Sequence, residues 1–105
     1  MSESEILNSI KSIVHSLLPD AKILLFGSRA KGNYRQDSDY DILVITQNLL
    51  QEKEKTSWRN KLNKLLVLTL HAPVDVLINS EKEVSDKKNF PGHVIQWALK
   101  DGIWL

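Results

Sequence analysis

Ile23-Leu24-Leu25-Phe26-Gly27-Ser28 and, after a polar stretch, Ser38-Asp39-Tyr40-Asp41-Ile42-Leu43-Val44-Ile45 decide how this chain folds. Each segment holds a short run that is apolar on both faces, the pattern of a strand buried within a sheet. Residues 28–40 are polar, with Gly32, Asn33, Ser38 and several charges, and read as a loop with one helical turn. That connection is too short for a full crossover helix with its loops, so the two strands are expected to pair antiparallel.

The pattern changes on either side. Ile6, Leu7, Ile10, Ile13, Val14, Leu17 and Leu18 recur at helical spacing. Ser2 followed by Glu5 fits a capping box, and Pro19 ends the run. From about Leu50 to Leu70 a second helical pattern sets Trp58, Leu62, Leu65, Leu66 and Thr69 on one face, and the Lys/Glu mixture at 51–64 reads as solvated. Pro73 breaks that helix, and Val74-Asp75-Val76-Leu77-Ile78 reads as a third buried strand. Residues 79–92 read only as a charged loop. His93–Lys100 reads as a last helix stopped at Gly102, and Ile103-Trp104-Leu105 as a short strand. Strands alternating with helices indicate an α/β (α+β) fold, a small mixed sheet with helices packed on it.

Composition narrows the function. A chain of 105 residues suits one domain over 1–105. Fourteen Lys and Arg against thirteen Asp and Glu give a net charge of +1, with no bulk field to attract nucleic acid or an anionic membrane. Phosphate binding therefore has to come from a local site. With no cysteine there is neither a disulfide framework nor a thiolate metal site. Glu3, Glu5 and Asp20 interrupt the apolar positions of residues 1–20, which rules out a signal peptide or a membrane span there; the expected location is cytoplasmic.

The chemistry lies with the acids. In a strand, residues i and i+2 point to one face, so Asp39 and Asp41 would stand together while Tyr40 faces away. Two carboxylates placed so repel unless a cation lies between them, and Mg2+ takes one or two carboxylates plus substrate phosphates. An Asp-x-Asp alone is common at strand starts and turns. Here it stands at the mouth of a buried strand, and a third acid, Asp75, interrupts another apolar strand. Asp75 reads as a third metal ligand, as an acid paired with Lys or Arg, or as a strand-end acid near solvent. Gly27 and Ser28 follow the first strand directly. They read either as a plain turn or as a place where backbone amides approach phosphate oxygens, with Arg29 and Lys31 adding charge.

Taken together, Gly27-Ser28-Arg29-Ala30-Lys31-Gly32, Ser38-Asp39-Tyr40-Asp41-Ile42 and Val74-Asp75-Val76 resemble the signature of the minimal nucleotidyltransferase family within the DNA polymerase β-like superfamily. The resemblance implies transfer of a nucleoside monophosphate from a triphosphate to a hydroxyl, with ATP as donor and two Mg2+ ions roughly 3.5–4 Å apart. By this likeness Asp39 and Asp41 hold both metals, and Asp75 holds the one nearer the acceptor and helps deprotonate it. Gly27 and Ser28 grip the β- and γ-phosphates, with Arg29 and Lys31 beside them. The family often has Arg where Lys31 stands, and lysine lacks the bidentate fork. Larger relatives carry an added helical domain. Small ones are commonly antitoxins paired with a helical HEPN-type toxin, which implies a toxin tyrosine as the AMP acceptor. The alternative is a non-catalytic subunit that neutralises a helical partner by masking it. His71 is near Asp75 in sequence and reads as a flank of the site or as a solvated or capping residue, and Tyr34 lies in the motif loop, where an aromatic can touch nucleotide or serve other uses. Trp58, Trp97 and Trp104 read as core or interface anchors.

Overall fold

The computed structural model describes residues 1–32, 35 and 38–105; Tyr34 lies outside the described residues. Among the described residues nine elements follow in order: α1 (Glu3–Leu17), β1 (Lys22–Phe26), α2 (Ser28–Lys31), β2 (Tyr40–Thr46), α3 (Glu52–Leu70), β3 (Val74–Ser80), α4 (Glu81–Lys87), α5 (Val94–Asp101) and β4 (Ile103–Trp104). The strands form one mixed sheet in the order β3-β2-β1-β4. β1 runs antiparallel to both β2 and β4, and β2 runs parallel to β3. The expected antiparallel β1–β2 pair is present, and α3 is the crossover that the parallel β2–β3 pair requires.

Burial explains the continuous apolar runs Ile23–Phe26 and Ile42–Ile45 of the two central strands. One sheet face carries Ile23, Leu25, Tyr40, Ile42, Val44, Val76 and Ile78, and packs on Ile10 and Val14 of α1 and Leu62 and Leu66 of α3. The other face carries Leu24, Phe26, Leu43 and Ile45 under Val84 of α4 and Ile95 and Ala98 of α5. Truncating a fully buried leucine such as Leu62 to alanine costs about 3 kcal/mol in a core of this kind. Gly102 lets α5 pass close to the sheet: a Cβ there would lie 2.4 Å from the Ala98 carbonyl oxygen and 2.7 Å from Leu24 Cδ1.

Helix α1 begins as its sequence indicates. The Ser2 hydroxyl accepts from the Glu5 N–H, and the Glu5 carboxylate accepts from the Ser2 N–H. The same device recurs where no element was read. Ser80 and Glu83 form a second capping box, and residues 81–87 are helical rather than loop. The solvated reading of 51–64 also needs correction at one position. Lys55 is buried, and its ammonium donates to the Glu83 carboxylate, tying α3 to α4. On the same helix Thr69 is exposed and Leu65 largely so, because the buried stripe runs through Lys55, Leu62 and Leu66. Trp58 is partly buried against the core, whereas Trp97 and Trp104 are each more than half exposed. Among the described residues no helix is long and apolar enough to cross a membrane.

Candidate active site

The acids gather where the end of β1 meets the starts of β2 and β3. Asp41 is in register with Asp75 on β3 and with Phe26 on β1. In-register neighbours on adjacent strands share a face, at a strand spacing of about 4.8 Å. That face is the one carrying Leu43 and Ile45, but at this end it is open: Asp41 is partly buried, and Asp39 and Asp75 are exposed. Tyr40 lies buried on the opposite face, as the strand period requires.

The electrostatic effect falls on Asp41. Burial pushes the Asp41 carboxyl above its ordinary value, and the negative charges of Asp75 and then Asp39 push it further the same way. Among the described residues no three His, Asp or Glu side chains close on one point as a ready-made metal cage. The arrangement is instead an in-register pair with a third acid beside it.

Gly27 is fitted against this pair. Its backbone, at φ 74° and ψ −157°, is in a region that is essentially glycine-only. A Cβ at this position would lie 2.3 Å from Asp41 Oδ2. The Gly27 carbonyl accepts from the Ala30 and Lys31 N–H groups, both at 3.2 Å, and so opens the single turn of α2 with Ser28 as its first residue. Glycine is therefore required twice, for the turn and for the carboxylate beside it.

The two cations of α2 have structural partners. Arg29 Nε and Nη2 donate to the Ser38 carbonyl at 3.2 and 3.0 Å, and the guanidinium carbon is 4.2 Å from the centroid of the Tyr40 ring. Lys31 Nζ is 3.5 Å from Asp101 Oδ2 at the end of α5. Ser38, Tyr40 and Asp101 were not read from the sequence as partners of these cations, since no local pattern announces partners that meet only in the fold. His71 caps α3 in a left-handed conformation, φ 54°, on the exposed surface. His15 and His93 bond backbone groups at Ala21 and Ile95.

A family model described as nucleotidyltransferase domain matches residues 7–103. A Methanocaldococcus jannaschii protein, provisionally named a protein adenylyltransferase, is 36% identical over 55 residues, covering 49% of this chain and 56% of that one. MntA of Haemophilus influenzae, named with the same reserve as a protein adenylyltransferase, is 40% identical over 48 residues, covering 46% and 42%. The matched segment thus spans about half the length of these curated relatives. Among solved structures, one titled as a minimal nucleotidyltransferase aligns with TM-score 0.67 at 20% identity over 100% of this chain and 97% of that one. A toxin–antitoxin structure with AMP-PNP aligns with TM-score 0.67 at 23% identity over 92% and 69%. A complex of tri-AMPylated Shewanella oneidensis HEPN toxin with MNT antitoxin aligns with TM-score 0.64 at 20% identity over 98% and 71%. At these identities the structural likenesses establish the fold.

Proposed function

Because the chain belongs to the nucleotidyltransferase domain family, we propose that it transfers AMP from ATP to a hydroxyl on a partner protein, working over residues 1–105 as one minimal domain. The observation that carries this reading is the Asp41–Asp75 register pair with Gly27 held against the Asp41 carboxylate. A chain that only masked a partner has no need to hold like charges together in a partly desolvated place, where they oppose folding.

In this reading Asp39, Asp41 and Asp75 are the acids of the reaction. Their oxygen-only donor set suits Mg2+, and an Asp41 carboxyl pushed up by burial, and then by the charges of Asp75 and Asp39, is consistent with a place that takes a cation. Bound there, Mg2+ would neutralise charge on the triphosphate, the main requirement of phosphoryl-type transfer. Asp39 and Asp41 would hold both Mg2+ ions, and Asp75 the one nearer the acceptor. The turn at Gly27 and Ser28 would cradle the β- and γ-phosphates, with the positive charge of Arg29 and Lys31 alongside. The acceptor oxygen bonds to the α-phosphorus, the bond to the bridging oxygen breaks, and pyrophosphate leaves. The acceptor proton passes to a carboxylate, for which Asp75 is placed.

The partner follows from the relatives. Two are named for protein adenylylation, and one structural neighbour holds an AMPylated HEPN toxin with an MNT antitoxin. We assign the acceptor to a tyrosine of a HEPN-type toxin, the role to an antitoxin, and the location to the cytoplasm. Incubation with labelled ATP, Mg2+ and a co-encoded helical partner tests this. Label on the partner that disappears with Asp39→Ala is the expected result. Tight partner binding with no transfer by the wild type would overturn it in favour of the mask.

A further inference from the structure

We propose that Arg29 is a positioning residue for the acids rather than a ligand of the triphosphate. The inference rests on the reading of Asp39 and Asp41 as the acids of transfer, and it assigns Arg29 a task within that site.

The geometry is specific. Two nitrogens of the guanidinium converge on one carbonyl, that of Ser38, and the plane lies over the Tyr40 ring. Ser38 and Tyr40 are the residues immediately before and after Asp39, and Tyr40 immediately precedes Asp41. One side chain therefore holds the backbone just before Asp39 and the ring of the residue between the two acids. Ser38 is itself held in place: its N–H donates to the Arg35 carbonyl at 3.0 Å, and its hydroxyl accepts from the Arg35 N–H at 2.8 Å. Tyr40 is buried, and its N–H donates to the Pro73 carbonyl at 3.0 Å, two residues before Asp75. Arg29 thus links the turn that starts at Gly27 to the segment that carries two acids and touches the strand that carries the third.

The residue type fits this task. A planar fork can give two hydrogen bonds while stacking on an aromatic face, whereas an ammonium supplies a point charge. A lysine could still bring positive charge to a phosphate, but it could not both fork onto Ser38 and stack on Tyr40. Removing a group that orients metal-binding side chains commonly lowers metal affinity or activity about 10- to 100-fold.

The test compares wild type with Arg29→Lys, Arg29→Gln and Tyr40→Leu, each first checked for folding by thermal melt. Three readouts are taken: Mn2+ affinity of the nucleotide-free protein, kcat and KM for MgATP, and hydrogen exchange over residues 38–42. The expected result for Arg29→Lys is about tenfold weaker Mn2+ binding and a kcat lowered about tenfold or more, with KM within about twofold. Faster exchange at 38–42 should accompany it, and Tyr40→Leu should show the same profile. A KM raised with kcat, Mn2+ affinity and exchange unchanged, and rescued by lysine, would overturn the proposal in favour of a direct phosphate contact. If Arg29→Gln does not fold, Arg29→Lys and Tyr40→Leu decide alone. If the wild type shows no transfer, the functional reading fails, while Mn2+ affinity and exchange still decide the role of Arg29.

Discussion

Replacing Gly27 by alanine perturbs backbone and site at once, and the two effects can be separated. At φ 74° and ψ −157° the peptide is in a region where a non-glycine residue costs about 1–3 kcal/mol. Taking about 2 kcal/mol, and about 4 °C per kcal/mol for a domain of this size, the melting midpoint should fall by about 8 °C. The new Cβ would also stand 2.3 Å from Asp41 Oδ2, 3.2 Å from Cγ and 3.5 Å from Cβ. Only the first distance is impossible, and a carboxylate can turn away from it. The clash should therefore appear as a displaced Asp41 more than as further loss of stability. A displacement of about 1 Å in such a site can lower turnover about 100-fold. Thermal melts, Mn2+ titration and the labelled-ATP assay measure the three consequences. Asp41→Ala removes the clashing oxygen and Cγ, so alanine at 27 should then cost only its backbone share. A folded Gly27→Ala protein with wild-type turnover would refute the contact between Gly27 and Asp41, and an unchanged midpoint would refute the backbone argument.

Other perturbations have defined outcomes. In metal-free protein the raised Asp41 group keeps its proton to higher pH than it would unfolded, so stability falls as pH rises from the ordinary carboxylate range through the raised value. Asp41→Asn removes that fall: melts from pH 3 to 7 should show the variant gaining on the wild type, and losing the advantage when Mg2+ is added. Lys55→Ala strands the Glu83 carboxylate. Burial raises the pKa of that carboxyl, but its hydrogen bonds from Lys55 and Ser80 hold it below the ordinary value. A loss of about 2 kcal/mol by urea denaturation is expected, shrinking as acid protonates Glu83. Gly102→Ala forces a methyl group onto Leu24 and the Ala98 carbonyl, and should cost about 1–3 kcal/mol in the same assay.

The legible parts of the sequence were those governed by local rules. Runs such as Ile42–Ile45 gave the central strands because burial on both faces demands continuous apolar residues. The short gap after Phe26 gave the antiparallel pair, and Ser2 with Glu5 gave the start of α1. Asp41 lies in β2 as its apolar context indicated, whereas Asp39 precedes the strand, so the two-residue strand period does not by itself set its direction. The register that sets Asp75 beside Asp41 is tertiary, arising where β3 pairs parallel to β2 with α3 packed on one face of the sheet. Helix α4 was missed because Glu81–Lys87 is short and carries a single buried apolar residue, Val84, leaving no periodicity to detect. Its capping box was the available signal. Lys55 was misread because a lysine among charged residues looks solvated until Glu83, 28 positions away, is brought to it.

The sheet order β3-β2-β1-β4 also sets how durable each half of the acid pair is. β2 is bonded on both sides, so Asp41 leaves its place only when the core opens. β3 is an outer strand paired with β2 alone, and Asp75 lies near its first residue. Strand ends with one neighbour open by local fluctuation at far lower free energy than central strands. Fraying at Val74 and Asp75 would withdraw one carboxylate while leaving the rest of the fold intact. The pair therefore joins a fixed acid to a detachable one, and a divalent cation bridging them would fasten the edge of the sheet as well as the substrate.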